Sequence, residues 1–129
     1  MGEDITLPPV PESVAEARRW TTGAVASVAG DGTAEVAALL VSELVSNVVL
    51  HARTPCDLSV ARRDGSVRVA VRDGSERMPR AVAPAEPTAM SGRGMLIVAE
   101  LADAHGVEAH PGGGKSVWFE LHVPAVELR

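Results

Sequence analysis

One predicted helix constrains the fold of this chain more than any other feature. The segment from residue 33 to residue 52 is apolar around nearly the whole helical circumference. A surface helix has an apolar stripe on one side only, whereas a helix that is apolar on all sides is buried. The segment therefore predicts a central core helix with other elements packed around it. Its apolar residues are Val36, Leu39, Leu40, Val41, Leu44, Val45, Val48, Val49 and Leu50.

The length of 129 residues suits one domain, residues 1–129, because compact domains most often contain roughly 100 to 150 residues. Hydrophobic residues make up 46% of the chain and aromatic residues only 2%, so the core must consist mainly of Ala, Val and Leu. Residues 1–11 contain Pro8, Pro9 and Pro11, which lack backbone donors, and we expect an extended N-terminal lead-in there.

Charge and composition exclude several classes of protein. A formal net charge of -5 argues against a direct nucleic-acid partner, which would require a basic surface. The single cysteine, Cys56, excludes an internal disulfide framework. No apolar run approaches the roughly 20 residues of a membrane span, and no basic segment followed by an apolar one opens the chain. We therefore expect a cytoplasmic protein without a membrane partner.

The remaining periodic segments predict an α+β fold. Apolar residues at helical spacing predict a first helix from residue 12 or 13 to about Val28. Alternating residues on either side of Asp64-Gly65 predict a β-hairpin, and the alternation from Val117 to Val123 predicts a final strand. We expect a two-layer sandwich, in which a mixed, mostly antiparallel sheet carries helices on one face.

The segment from Gly74 to Gly94 shows no sustained periodicity and contains three prolines. Loops longer than about 12 to 15 residues are uncommon in compact domains and are often lids or binding loops. We predict a lid here, followed by a short apolar helix from Met95 to Ala102. Gly92-Arg93-Gly94, directly before that helix, would form an anion cradle at its N-terminus.

Polar residues at intervals of four interrupt the buried helix. Glu43, Asn47 and His51 would lie along one stripe of an α-helix. A carboxylate on a buried helix must be paired with a cation, reach solvent or take part in a functional site. The spacing alone leaves open that this stripe faces solvent. Asp73 ends the second hairpin strand before the predicted lid, where binding groups are common, although Asp-Gly is also an ordinary turn signal.

Two other motifs have plainer interpretations. The segment from Gly112 to Ser116 lacks the first glycine of a P-loop and runs into a strand instead of a helix, so we interpret it as a turn. His105 and His110 lack a set of partner ligands, so we assign them structural roles.

Four segments, taken in order, resemble the GHKL (Bergerat-fold) ATPases, and most closely the short anti-sigma-factor serine/threonine kinases of bacteria. The resemblance covers roughly residues 11 to 123. The segments are Glu43-Leu44-Val45-Ser46-Asn47-Val48-Val49-Leu50-His51-Ala52, Val71-Arg72-Asp73-Gly74-Ser75, Gly92-Arg93-Gly94-Met95 and Gly114-Lys115-Ser116-Val117-Trp118.

The resemblance implies a role for each matching residue. Glu43 corresponds to the general base, Asn47 to the ligand of a magnesium ion on the phosphates of ATP, and His51 to a supporting residue. Asp73 corresponds to the carboxylate that accepts a hydrogen bond from the adenine amino group, with Ser116 beside it as an assisting hydroxyl. The other residues expected to line the ATP site are Ser75, Gly92, Arg93, Gly94, Met95 and Lys115.

The resemblance further implies a kinase that phosphorylates an anti-anti-sigma (STAS-type) protein and controls a sigma factor by partner switching. It leaves a homodimer open. The chain departs from the family pattern after Asp73, where Ser75 and Arg77 stand at positions that commonly hold glycine. A stiffer hinge of the lid would favour the alternative, a non-catalytic regulatory module that binds ATP to select its protein partner.

Overall fold

The computed structural model describes residues 2–75 and 90–123, with the backbone alone for residues 90–93. A π-helical turn, Val48–Ala52, directly follows the α-helix Asp31–Asn47. The elements along these residues are β1 (Gly2–Leu7), α1 (Glu12–Ala29), α2 (Asp31–Asn47), β2 (Cys56–Arg63), β3 (Ser66–Asp73), α3 (Met90–Leu101), β4 (Ala104–Ala109) and β5 (Lys115–His122).

The five strands form one sheet in the order β1-β2-β3-β5-β4, and each of its four pairings is antiparallel. The predicted hairpin is confirmed, because β2 and β3 pair along their full lengths around the turn at Asp64 and Gly65. Strand β5 then pairs with β3, which places Asp73 directly opposite Lys115. The α+β architecture expected from the sequence is confirmed.

The helices pack against one face of the sheet and bury the core there. Alternate residues of β3 and β5 point toward the helices, and Val67, Val69 and Phe119 among them have no exposed surface. Helix α2 supplies Leu40, Val41 and Val45, which are also fully buried. Only one of these six side chains is aromatic, as the composition predicts for a core of closely packed aliphatic residues.

The long central helix needs a correction to the sequence analysis. The stretch Asp31–Ala52 is 22 residues long and, by length and composition alone, apolar enough to cross a membrane. Half of its most apolar window is buried inside the protein. The core helix of a globular domain passes the same test, and the packing of α2 against α1, α3 and the sheet accounts for its apolar character.

Two strands were missed by the sequence analysis. Residues 2–7, expected to be a lead-in, form β1, which pairs with β2 from Gly2↔Ala61 to Leu7↔Cys56 and buries Leu7. Strand β1 lies at one edge of the sheet and exposes Glu3 and Asp4. Strand β4 forms the other edge, beside β5.

The sheet face opposite the helices is partly exposed and holds Trp118 near its centre. The Arg68 guanidinium lies 3.9 Å from the centre of the Trp118 ring and forms a salt bridge of 2.9 Å with Glu120. Gly106 on β4 lies under the same ring, where a Cβ atom would be 2.7 Å from the indole. These contacts fix the β3–β5–β4 part of the sheet, which carries one wall of the candidate site.

Candidate functional site

A buried ion pair lies where β3 ends and β5 begins. Lys115 Nζ is 3.0 Å from Asp73 Oδ1 and 3.1 Å from Asp73 Oδ2. The two side chains are only 6% and 3% exposed. Both residues point toward the helix-covered face, because each follows the alternation of core residues along its strand. Asp73, singled out from the sequence, is therefore an interior carboxylate with an interior cation beside it.

Backbone groups around Asp73 hold this pair in place. The Ser75 N–H donates to Asp73 Oδ1 at 2.8 Å, and the Gly74 N–H donates to Thr54 Oγ1 at 2.9 Å. Gly114, before Lys115, has a φ of +86°, and a Cβ atom there would overlap the carbonyl oxygen of Asp73. Only glycine combines that backbone conformation with so close an approach, so Gly114 sets the distance between the two strand ends.

The Asp73 carboxylate also affects the thiol opposite it in the sheet. Cys56 pairs with Asp73 in the β2–β3 register and is buried. Burial raises the pKa of the Cys56 thiol from 9.0 to about 11, with smaller contributions from the negative charges of Asp73 and Asp57. A thiol with so high a pKa is a poor nucleophile at neutral pH, so Cys56 is a packing residue.

Glu43 lies on α2 in direct contact with α3. A Cβ atom built on Gly94 would be 2.9 Å from Glu43 Oε1 and 3.1 Å from Glu43 Cβ. The two helices therefore approach closely at this point because residue 94 has no side chain. Glu43 is half-buried, so its carboxylate is neither fully hydrated nor fully enclosed. Two of the segments singled out from the sequence thus meet in space.

The other members of the predicted stripe do not share one environment. Asn47, the last residue of α2, is half-buried, whereas His51 is exposed. His51 lies in the π-helical turn, where Arg53 N–H donates to Val48 O at 2.7 Å across five residues. The wider turn changes the spacing of side chains around the helix axis, and His51, unlike Asn47, is exposed there.

The start of α3 requires a second correction. The helix begins at Met90 instead of Met95, so Gly92-Arg93-Gly94 lies within its first turns and not before them. The backbone N–H groups without helical partners are therefore those of the first four residues, which precede Gly94. Met95 is 8% exposed and belongs to the core. Of the predicted lid, Gly74 to Gly94, residues 76 to 89 lie outside the described residues, as do the side chains of Met90 to Arg93, and residues 90 to 94 belong to α3.

Ser116 is not beside Asp73, contrary to the expectation from the sequence. In the β3–β5 register it pairs with Arg72, and its side chain points to the sheet face opposite the helices. There Ser116 Oγ lies 2.8 Å from His110 Nε2. The residue beside the Asp73 carboxylate is Lys115. The alternation along the strand already indicated that Lys115 faces the core, since it lies an even number of residues from Val117, Phe119 and Leu121.

No group of three or more His, Cys, Asp and Glu side chains that would hold a metal ion occurs within residues 2–75 and 94–123. The candidate site residues that the structure describes are the half-buried Glu43 and Asn47 on α2, Gly94 on α3 in contact with Glu43, and the Asp73–Lys115 pair between β3 and β5.

The chain belongs to the histidine kinase-like ATPase family, whose domain model matches residues 7–121. Membership in this family implies that the domain binds ATP. The fold is also similar to a solved structure, the crystal structure of the RsbU and RsbW domains of Rv1364c from Mycobacterium tuberculosis. The TM-score is 0.71 at 18% sequence identity, and the match covers 95% of this chain and 32% of that one. No curated protein sequence matches the chain.

Proposed function

We propose that this domain is an ATP-dependent serine/threonine protein kinase of the anti-sigma-factor type. It would phosphorylate an anti-anti-sigma (STAS-type) protein and so control a sigma factor by partner switching in the cytoplasm. The contact between Glu43 and Gly94 carries this proposal, since it brings the half-buried carboxylate of α2 against α3. The fold shared with a chain that contains an RsbW domain agrees with it.

Phosphoryl transfer requires little covalent chemistry from a protein and depends mainly on positioning and charge neutralisation. In the proposed reaction the Glu43 carboxylate accepts the proton of a serine or threonine hydroxyl on the partner. The hydroxyl oxygen forms a bond to the γ-phosphorus of ATP while the bond from that phosphorus to the β–γ bridging oxygen breaks. The products are a phosphorylated partner and ADP.

Asn47 fits the role of a magnesium ligand in chemical type. Magnesium prefers oxygen ligands and commonly keeps few protein ligands beside phosphate and water, so one amide oxygen from a half-buried residue is sufficient. When bound, the ion would neutralise charge on the phosphates. At the other end of the nucleotide, Asp73 would accept a hydrogen bond from the adenine amino group.

One observation favours the alternative, a nucleotide-gated binding module without turnover. The backbone of Ser75 is tied to the charge pair from both sides: its N–H donates to Asp73, and its carbonyl oxygen lies 3.5 Å from Lys115 Nζ. The chain leaving β3 is therefore anchored at its first residues. A lid with a restrained hinge would still respond to nucleotide but would close less readily for catalysis.

A comparison of Glu43→Gln with Asn47→Ala separates the two functions. Wild type and both variants are incubated with magnesium, radiolabelled ATP and STAS-type proteins encoded nearby, and nucleotide affinity is measured in parallel by calorimetry. The amide of Glu43→Gln keeps the shape but cannot accept the proton, so transfer should fall by roughly 10² to 10⁴-fold while ATP still binds. Asn47→Ala should weaken magnesium-dependent ATP binding and transfer together.

The kinase proposal fails if wild-type protein binds ATP but phosphorylates none of these proteins. If Glu43→Gln then captures and releases its partner in response to ATP as wild type does, the binding module is the correct function.

A further inference from the structure

The Asp73–Lys115 pair has hydrogen-bonding capacity that the described residues do not use. A carboxylate offers about four acceptor positions. Oδ1 of Asp73 accepts from Ser75 N–H and Lys115, whereas Oδ2 accepts from Lys115 alone, so within the described chain Oδ2 keeps one position. An ammonium group has three donors. Two of these meet Asp73, and among the described residues the third meets only the carbonyl oxygen of Ser75, at 3.5 Å.

Among the described residues, one acceptor position of Asp73 and one weakly bonded donor of Lys115 therefore remain within a single ion pair. The Watson–Crick edge of adenine is their complement, because its exocyclic amine is a donor and the neighbouring ring nitrogen N1 is an acceptor. We propose that Lys115 is a base-specificity residue of the nucleotide site, donating to N1 of adenine while Asp73 Oδ2 accepts from the amine. This inference rests on the proposed ATP site and adds to it a residue that recognises the adenine ring.

The same geometry disfavours guanine. Guanine presents two adjacent donors, N1–H and the 2-amino group, beside the acceptor O6. Full pairing would require two acceptor positions on Asp73, and the described residues leave only one, because Ser75 N–H and Lys115 occupy Oδ1 and Lys115 also occupies one position of Oδ2. One donor of guanine would then be buried without a partner, which is costly in a site from which water is excluded. The pair should therefore select adenine over guanine.

Burial makes this selection effective. Both side chains of the pair are more than nine-tenths buried, so water competes weakly for their hydrogen bonds. The strand register and the close approach of Gly114 to Asp73 hold the two residues on neighbouring strands, so the donor and acceptor are placed before the ligand arrives. Such placement reduces the entropic cost of recognising the base.

The test replaces one atom of the ligand. Calorimetry measures the binding of ATP, of 1-deaza-ATP, in which a C–H replaces N1, and of GTP to wild-type protein. We expect 1-deaza-ATP and GTP each to bind at least 10-fold more weakly than ATP. Loss of less than 2-fold with 1-deaza-ATP, or GTP binding as tight as ATP, overturns the inference while leaving the proposed kinase intact. Absence of any ATP binding instead refutes the proposed function itself.

The variant Lys115→Met assigns the effect to this residue. It should lose about 10-fold in affinity for ATP but less than 2-fold for 1-deaza-ATP, because the contact to N1 is already missing there. Equal losses for both ligands would show that Lys115 acts only through its charge or on the fold. Arg72→Met is the matched control, since it removes one exposed positive charge next to Asp73 and should weaken both ligands equally.

A spectroscopic measurement remains available if Lys115→Met does not fold. Lys115 is the only lysine in the sequence, so selective ¹⁵N-lysine labelling gives a single side-chain signal. A hydrogen bond to N1 should shift that signal with ATP and leave it nearly unchanged with 1-deaza-ATP. Identical shifts with the two nucleotides would contradict the inference.

Discussion

Gly114→Ala tests whether the strand ends that carry the charge pair are as tightly constrained as the structure indicates. Gly114 has a φ of +86°, a region that costs an L-residue about 1 to 3 kcal/mol. The new Cβ would also overlap the carbonyl oxygen of Asp73, and forcing backbone apart in a packed region typically costs about 1 to 3 kcal/mol more. The two costs sum to about 2 to 6 kcal/mol, so we expect a loss of about 4 kcal/mol in the free energy of unfolding.

Gly112→Ala is the matched control, because no atom lies within 4 Å of a Cβ atom built there. Both substitutions restrict the unfolded chain equally, so their difference isolates the cost in the native state. Urea unfolding followed by circular dichroism gives the two free energies, and the melting temperature of Gly114→Ala should be lower by about 10 °C or more. A Gly114→Ala protein within 1 kcal/mol of the control would refute the proposed constraint.

Two further predictions concern other parts of the structure. Gly23→Ala, in an open position of α1, should stabilise the protein by about 0.5 to 1 kcal/mol. Gly94→Ala should give no such gain, because its Cβ would be 2.9 Å from Glu43 Oε1. Equal gains in the free energy of unfolding, measured in urea, would contradict the contact between Gly94 and Glu43. Burial and Asp73 raise the pKa of the Cys56 thiol from 9.0 to about 11 in the folded protein. The stability that the neutral thiol contributes is therefore complete below pH 9 and is lost as the pH rises toward 11. The free energy of unfolding should fall by roughly 3 kcal/mol over this pH range, and the fall should be absent in Cys56→Ala. Few other groups titrate there, because the chain has no tyrosine and a single lysine. Parallel pH profiles of the two proteins would exclude Cys56 as the cause of the fall.

The sequence predicted the elements whose patterns are local. Helix α2 and the β2–β3 hairpin have continuous periodicity and a clear turn, so both were confirmed. Strands β1 and β4 have no such pattern. The partners of β1 lie more than 40 residues away along the chain, from Cys56 to Ala61, and a strand of that kind is defined by tertiary pairing and not by its own residues.

The positions of the candidate site residues were also predicted only in part, because some of them depend on tertiary structure and not on a local pattern. Asp73 was correctly placed at a strand end and Glu43 on a buried helix, while their roles in an ATP site stay predictions. His51 is exposed in a π-helical turn, and the sequence does not reveal where an α-helix widens in this way. The resemblance places Ser116 beside Asp73, whereas the alternation along β5 places Lys115 on the core side, where a buried cation requires a carboxylate.

The acidic edge of the sheet bears on how the protein behaves at high concentration. An edge strand offers unpaired backbone groups to any other strand, including the same strand of a second molecule. Strand β1 exposes Glu3 and Asp4 at that edge, so antiparallel pairing of two copies would bring carboxylates of like charge close together. Repulsion between those side chains, in a protein with a net charge of -5, opposes edge-to-edge aggregation and protects the pairing of β1 with β2.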